Sequence, residues 1–217
     1  MSRDGLAAIV AIVLSGLLST TSLASSPKSW QFIDAKDFGK GKLEGLALHA
    51  TDGLSVTRSL KRSELKADFI HCWTRNGNSL WLGTGLGGGL FRLKDGKSKL
   101  VTKLKTALIG ALAADDDDGV YAGLVGKPVI VHVSAAGKTS ELVKLPDVKH
   151  IWSLIRRGDV LYAGTGPDGK IFAIDLDTKK AELYAETHTE HVLSLIFDRG
   201  AIVAGTAAPA MLIRIDG

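Results

Sequence analysis

His150 and His191 stand 41 residues apart, and each opens an apolar run: His150-Ile151-Trp152-Ser153 and His191-Val192-Leu193-Ser194. Imidazole titrates near neutrality and ligates divalent metals, so two rings brought together suit acid–base chemistry or part of a metal site. The matching positions in two earlier copies of the run are Phe69 and Leu108, which can do neither. His188-Thr189-Glu190-His191 is a further loose cluster, without a third ligand at metal-site spacing. His150 and His191 are therefore the catalytic candidates, weighed against plain repeat copying of a loop-end residue. Cys72, the sole cysteine, has the residue type of a nucleophile. Its slot is shared with Ala111, Ser153 and Ser194, which marks a place where only a small side chain packs. Neither serine sits in a G-x-S-x-G elbow. Asp115-Asp116-Asp117-Asp118 offers oxygen ligands for a hard cation but lacks the spaced D-x-D-x-D pattern. It aligns with Arg156-Arg157 and Asp198-Arg199, so a solvated turn is expected there and no metal. Gly83-Thr84-Gly85-Leu86-Gly87-Gly88 and Gly164-Thr165-Gly166-Pro167-Asp168-Gly169 match G-x-G-x-x-G. That fingerprint binds a dinucleotide only where a strand turns into a helix, and strand-like runs follow both matches. No nucleotide and no other cofactor is expected.

The elements that must position these residues recur. Trp81-Leu82-Gly83-Thr84-Gly85, Tyr121-Ala122-Gly123, Tyr162-Ala163-Gly164-Thr165-Gly166 and Val203-Ala204-Gly205-Thr206 place a glycine at 83, 123, 164 and 205, at intervals of 40, 41 and 41. A period of about 40 residues built from short strands predicts a β-propeller. Each unit reads as an apolar strand, a polar turn closing on glycine, the Trp/Tyr-x-Gly strand, an alternating strand such as Val129-Ile130-Val131-His132-Val133, and a fourth such as Glu141-Leu142-Val143-Lys144-Leu145. Four antiparallel strands make one blade. The aromatic residues Trp81, Tyr121 and Tyr162 are expected to pack between blades. The predicted fold class is all-β, a propeller of four to five four-stranded blades, with an incomplete arc as the alternative to a closed ring. The units run over about 42–68 (partial, with a hairpin through Leu46-Ala47-Leu48-His49 and Leu54-Ser55-Val56), 69–106, 107–147, 148–188 and 189–217, the last ending after its third strand. An N-terminal strand completing the last blade would close the ring and remove an exposed edge.

The bulk numbers fit one globular array: 217 residues, 45% hydrophobic and 23% charged, with 25 glycines against 5 prolines. The net charge of +4 is spread thinly, and the basic stretches Lys61-Arg62 with Lys66 and Lys94 to Lys105 carry no interleaved aromatics, so no nucleic-acid partner is expected. Arg3, the apolar run Leu6 to Leu18, and the small-residue exit Ser22-Leu23-Ala24 compose a signal peptide over residues 1–24, with Ser25 as the mature start and 25–41 as a lead-in. The run is short for a spanning helix, and an uncleaved anchor is the alternative. The expected location is periplasmic or extracellular, without a stable membrane span once the leader is cleaved. A lone cysteine leaves such an exported chain without an internal disulfide.

Val160-Leu161-Tyr162-Ala163-Gly164-Thr165-Gly166-Pro167-Asp168-Gly169-Lys170-Ile171-Phe172-Ala173-Ile174-Asp175 is the unit on which a resemblance rests. Over roughly residues 42 to 217 the layout resembles secreted bacterial β-propeller repeat proteins, the group that includes two-component-regulator-type and quinoprotein-like propellers. The chain departs from the WD pattern, with no Trp-Asp dipeptide at a strand end, and lacks tryptophan-docking repeats, so a quinone cofactor is not implied. Propellers host enzymes, sensors and binding scaffolds alike. The expectation is a non-catalytic scaffold that binds a protein, peptide or glycan through its blade-end loops. The alternatives are a hydrolase or lyase using His150 and His191 at the channel, and the sensor module of a signalling system.

Overall fold

A computed structural model describes residues 45–49, 53–56, 58 and 62–216. The leader and lead-in expected over residues 1–41 lie outside the described residues, as does any ring closure by that segment. The chain divides into two units, Met1–Leu60 and Lys61–Gly217. In the first, β1 (Leu46–His49) pairs antiparallel with β2 (Gly53–Val56), the hairpin read from the sequence.

The second unit is a run of antiparallel blades. The first holds β3 (Ile70–Asn76), β4 (Ser79–Thr84), β5 (Gly89–Lys94) and β6 (Lys97–Lys103). The second holds β7 (Leu108–Ala114), β8 (Val120–Val125), β9 (Val129–Val133) and β10 (Thr139–Lys144). The third holds β11 (His150–Arg157), β12 (Val160–Gly166), β13 (Lys170–Asp175) and β14 (Ala181–Glu186). The fourth holds three strands, β15 (His191–Asp198), β16 (Ala201–Ala207) and β17 (Leu212–Ile215). In each blade successive strands pair in sequence order, and the regular elements among the described residues are all strands. The innermost strands β3, β7, β11 and β15 lie side by side in that order. Single backbone pairings, Gly85 with Leu108 and Val125 with His150, stitch one blade to the next.

One irregularity recurs in every blade and sets how blades meet. The pairing of the innermost strand with its neighbour shifts register between Ile70 and Cys72, Ile109 and Ala111, Ile151 and Ser153, and Val192 and Ser194. A bulge of one residue reverses the face of the residues beyond it. The branched residue therefore points at the preceding blade, while the small residue two positions on points at the following one.

Packing between blades rests on that reversal. A Cβ placed on Gly83 would lie 3.0 Å from the Ile109 Cβ of the next blade; the same 3.0 Å separates Gly123 from Ile151 and Gly164 from Val192. Each Trp/Tyr-x-Gly glycine is thus the socket into which the next blade inserts a branched side chain. Around these contacts the three apolar clusters form, one per junction between blades. Trp81, Leu90, Ile109 and Leu112 anchor the first; Ile130, Ile151, Leu154 and Phe172 the second; Ile171, Val192, Leu195 and Ile202 the third. Trp81 is fully buried with the Arg92 guanidinium 5.5 Å above its ring, and Tyr162 packs edge-on against Tyr184 and Phe197. At the turn after β11, Gly158 takes φ +57°, the left-handed conformation that the sequence pattern of a glycine-closed turn requires.

Candidate functional site

The four innermost strands run from one rim of the array to the other, and each rim gathers a different set of side chains. At the rim where these strands begin, His150 and His191 open β11 and β15 as equivalent residues. Their rings stand 6.3 Å apart, edge to face, with the Trp152 indole 5.2 Å from His150 and 5.8 Å from His191. Trp152 is the bulged residue of β11, which turns its indole toward the two imidazoles. Gly166 makes room for this trio, because a Cβ there would collide with His191 Nδ1 and lie 3.0 Å from Trp152 Nε1.

The His150 Nδ1 accepts a hydrogen bond from the Gly126 amide at 3.1 Å, which places its own proton on Nε2. Burial first, then the charges of His191 and Lys149, hold the His150 imidazole below its ordinary titration range. His191 Nε2 lies 3.9 Å from Glu190 Oε2. Among the described residues no group of three or more histidine, cysteine or acidic side chains is placed to hold a metal. The arrangement offers one neutral imidazole, a second beside a carboxylate, and an aromatic wall.

The opposite rim lies about 20 Å away along β11, six residues on at a strand's rise. There Thr74, Leu112–Asp116, Leu154–Arg156 and Phe197 line a concave cavity of about 500 Å³ spanning all four blades. Its charged groups are bound to one another. Asp115 is buried, contrary to the solvated turn expected from the acidic run. Its Oδ1 accepts hydrogen bonds from the Asp117 and Gly119 amides and from Asn76 Nδ2 of the first blade, at 2.9, 2.6 and 3.1 Å. Its Oδ2 meets His132 Nε2 at 2.7 Å. The physical reason for the burial is that one carboxylate closes its own turn and clamps a neighbouring blade. Asp116 is exposed and gripped by both Nη atoms of Arg156 from the third blade, Nη1 to Oδ1 at 2.8 Å. That contact holds the Asp116 carboxyl below the usual carboxylate range. Asp118 lies 3.6 Å from Arg92.

His132, which pairs with Asp115, was not singled out by sequence reasoning. Its position in an alternating strand, one strand and one turn beyond the acidic run, gives no local signal; only the blade geometry brings the two together. Cys72 sits in the small-residue slot, its Sγ donating to the Ile109 carbonyl at 3.4 Å, and burial pushes its thiol up to about 12. Ser153 repeats that contact one junction on, donating to the Val192 carbonyl at 3.1 Å. Neither geometry frees a nucleophile. In both G-x-G-x-x-G stretches the following element is a strand, β5 or β13, so no helix N-terminus meets the loop.

No family model matches the chain, and no curated protein matches it. Solved structures do. A chain of the nidogen/laminin complex aligns with TM-score 0.60 at 12% identity, over 79% of this chain and 73% of that one. The computationally designed Ika4 protein aligns with TM-score 0.51 at 19% identity, over 70% of this chain and 94% of that one. The extracellular domain of a candidate one-component system from B. thetaiotaomicron aligns with TM-score 0.53 at 19% identity, over 71% of this chain and 22% of that much longer one. At these identities the likeness concerns the fold, and together with the observed blades it makes the chain an all-β, propeller-type protein.

Proposed function

We propose that the chain is an exported propeller-type module that binds a protein, peptide or glycan through the turns at its rims. The observation that carries this reading is how the charged groups at and beside the cavity are used. Asp115 with Asn76, Asp116 with Arg156, and Arg157 with the Gly200 carbonyl each fasten one blade to another. A frame braced in this way holds its rim turns in fixed relative positions, and those turns differ in every repeat, as a recognition surface requires. Propeller-like neighbours that include an extracellular domain fit an exported location, and the candidate leader supplies the route. A sensor role is the form this reading takes where the module belongs to a signalling system.

The test has two parts. Cell fractionation followed by N-terminal sequencing should recover the protein outside the cytoplasm, beginning at Ser25; intact chain confined to the cytosol would remove the exported half of the proposal. Screening the purified protein on peptide and glycan arrays, then replacing the turns of each rim with Gly-Ser loops of equal length, should identify the rim whose loss weakens binding at least about tenfold. Undiminished binding after both rims are replaced would remove the other half.

A second reading draws on the His150–Trp152–His191 convergence: a hydrolase or lyase with its acid–base pair at the channel rim. Metal analysis of the purified protein and a His150→Ala/His191→Ala double variant discriminate. Stoichiometric metal that the double variant loses would favour this reading over the binding module.

A further inference from the structure

The junction between blades occurs three times, and both of its halves occur once more without a partner among the described residues. At every junction the incoming blade supplies a β-branched residue and, three positions on, a leucine. Ile109 with Leu112, Ile151 with Leu154, and Val192 with Leu195 are all 7% exposed or less. At the same two positions the first blade carries Ile70 and Trp73, which are 48% and 66% exposed. The receiving blade supplies the glycine socket and an apolar residue paired beside it: Leu90, Ile130 and Ile171, all fully buried. The fourth blade carries Gly205 and, paired with it, Leu212, which is 80% exposed. A Cβ on Gly205 would meet only Ser194 within 4 Å, where each earlier socket meets a branched side chain of the next blade.

We propose that the fourth blade of one copy receives the first blade of a second copy, head to tail, through the same junction that joins blades within the chain. Among the described blades the first thus carries a plug and the fourth its matching socket, with the register already set by the shared bulge. Ile70 of one copy enters the Gly205 socket of the next, Trp73 covers Leu212, and the Ser194 hydroxyl gains an acceptor as Ser153 does at the Val192 carbonyl. This is a heterologous contact, which closes a ring when the rotation between copies allows it.

The experiment uses cysteines in a Cys72→Ala background, alanine being what Ala111 places in that slot. Ile70→Cys and Gly205→Cys sit where the internal junctions bring the two Cβ positions to 3.0 Å, about half an ångström short of the Cβ separation of a disulfide and within reach of a small backbone adjustment. Mild oxidation of the full chain carrying both should give disulfide-linked species of two or more copies on a non-reducing gel, while either cysteine alone should not. Mixing the two single variants should give one cross-linked dimer and no more. A cross-link confined within single chains would show that the array closes on itself and would overturn the proposal, as would none. Light scattering gives a measurement free of cysteines: the unmodified chain should associate. Leu212→Lys, which alters a side chain already in solvent, should weaken that association by about tenfold or more with its melting curve at dilution unchanged. An unmodified chain that remains monomeric at 100 μM, or association indifferent to Leu212→Lys, overturns the proposal.

Discussion

Burial is the first cause of how Cys72 and His150 titrate. Cys72 is held between Gly83 and Ile109 with its thiol pushed up to about 12 by burial, so the thiolate that reacts is scarce at neutral pH. A thiol reagent at pH 8 should label the native chain at least about tenfold more slowly than the urea-unfolded chain; equal rates would contradict the burial. Cys72→Ser should keep the bond to the Ile109 carbonyl, as Ser153 does one junction on, and change stability by less than about 1 kcal/mol in urea titration. His150 gives the pH dependence. Its imidazole titrates below the ordinary 6.5 because burial and the neighbouring His191 and Lys149 disfavour the charged form. The unfolded chain therefore binds a proton there before the folded chain does, and folding weakens as pH falls through about 6.5, reaching its full loss below the folded value. Above 6.5 the residue is neutral in both states and contributes no slope. Urea midpoints measured from pH 7.5 to 5 should fall more steeply for the native sequence than for His150→Asn, and parallel curves would remove His150 as the cause.

At the scale of the strand and the blade, the glycine sockets are the most sensitive positions. Gly164→Val must displace Val192, whose Cγ1 would lie 2.6 Å from the new Cβ in a closed junction, and should cost about 3 kcal/mol. Gly205→Ala is the internal control, since only the rotatable Ser194 hydroxyl stands near it. Gly164→Ala should therefore be the more destabilising of the two alanine variants by about 1 kcal/mol or more at protein dilution, measured by denaturant midpoints. Equal costs would mean that the socket is not what the glycine serves. The existence and spacing of these strands were legible because turn chemistry and a repeat of about 40 residues are both local signals. The small-residue slot of Cys72, Ala111, Ser153 and Ser194 was legible in the same way, by alignment of one repeat on another. The bulge was not. Simple alternation puts Ile70 and Cys72 on one face, and no residue type at His71, Gly110, Trp152 and Leu193 announces that the register shifts there. The acidic run was misread at Asp115 for a related reason: its partners Asn76 and His132 come from another blade and another strand, so the burial belongs to blade stacking and not to the run's own composition.

At the largest scale, the blades of the unit Lys61–Gly217 differ in how many junctions they share among the described residues. The second and third blades each share two junctions with neighbours, whereas the first and fourth share one among the described residues. In repeat arrays stability is approximately the sum of each unit's own term and its junction terms, so opening should begin at the ends and reach the middle last. The fourth blade has three strands and an apolar face in solvent at Leu212 and Ile196, which sharpens the contrast. Amide exchange followed by mass spectrometry at low micromolar concentration should therefore show β11, β12 and β13 most protected and β15 to β17 least, with β3 and β4 between. Raising the protein concentration separates two ways of holding the array together. If the ends meet only solvent, the gradient stays fixed; if the first blade of one copy plugs into the fourth of another, protection should rise at β3 and at β15 to β17 together while the middle blades change little. A gradient absent at all concentrations would show that the unit opens as one cooperative block, and that the junctions do not act as separable nearest-neighbour contacts.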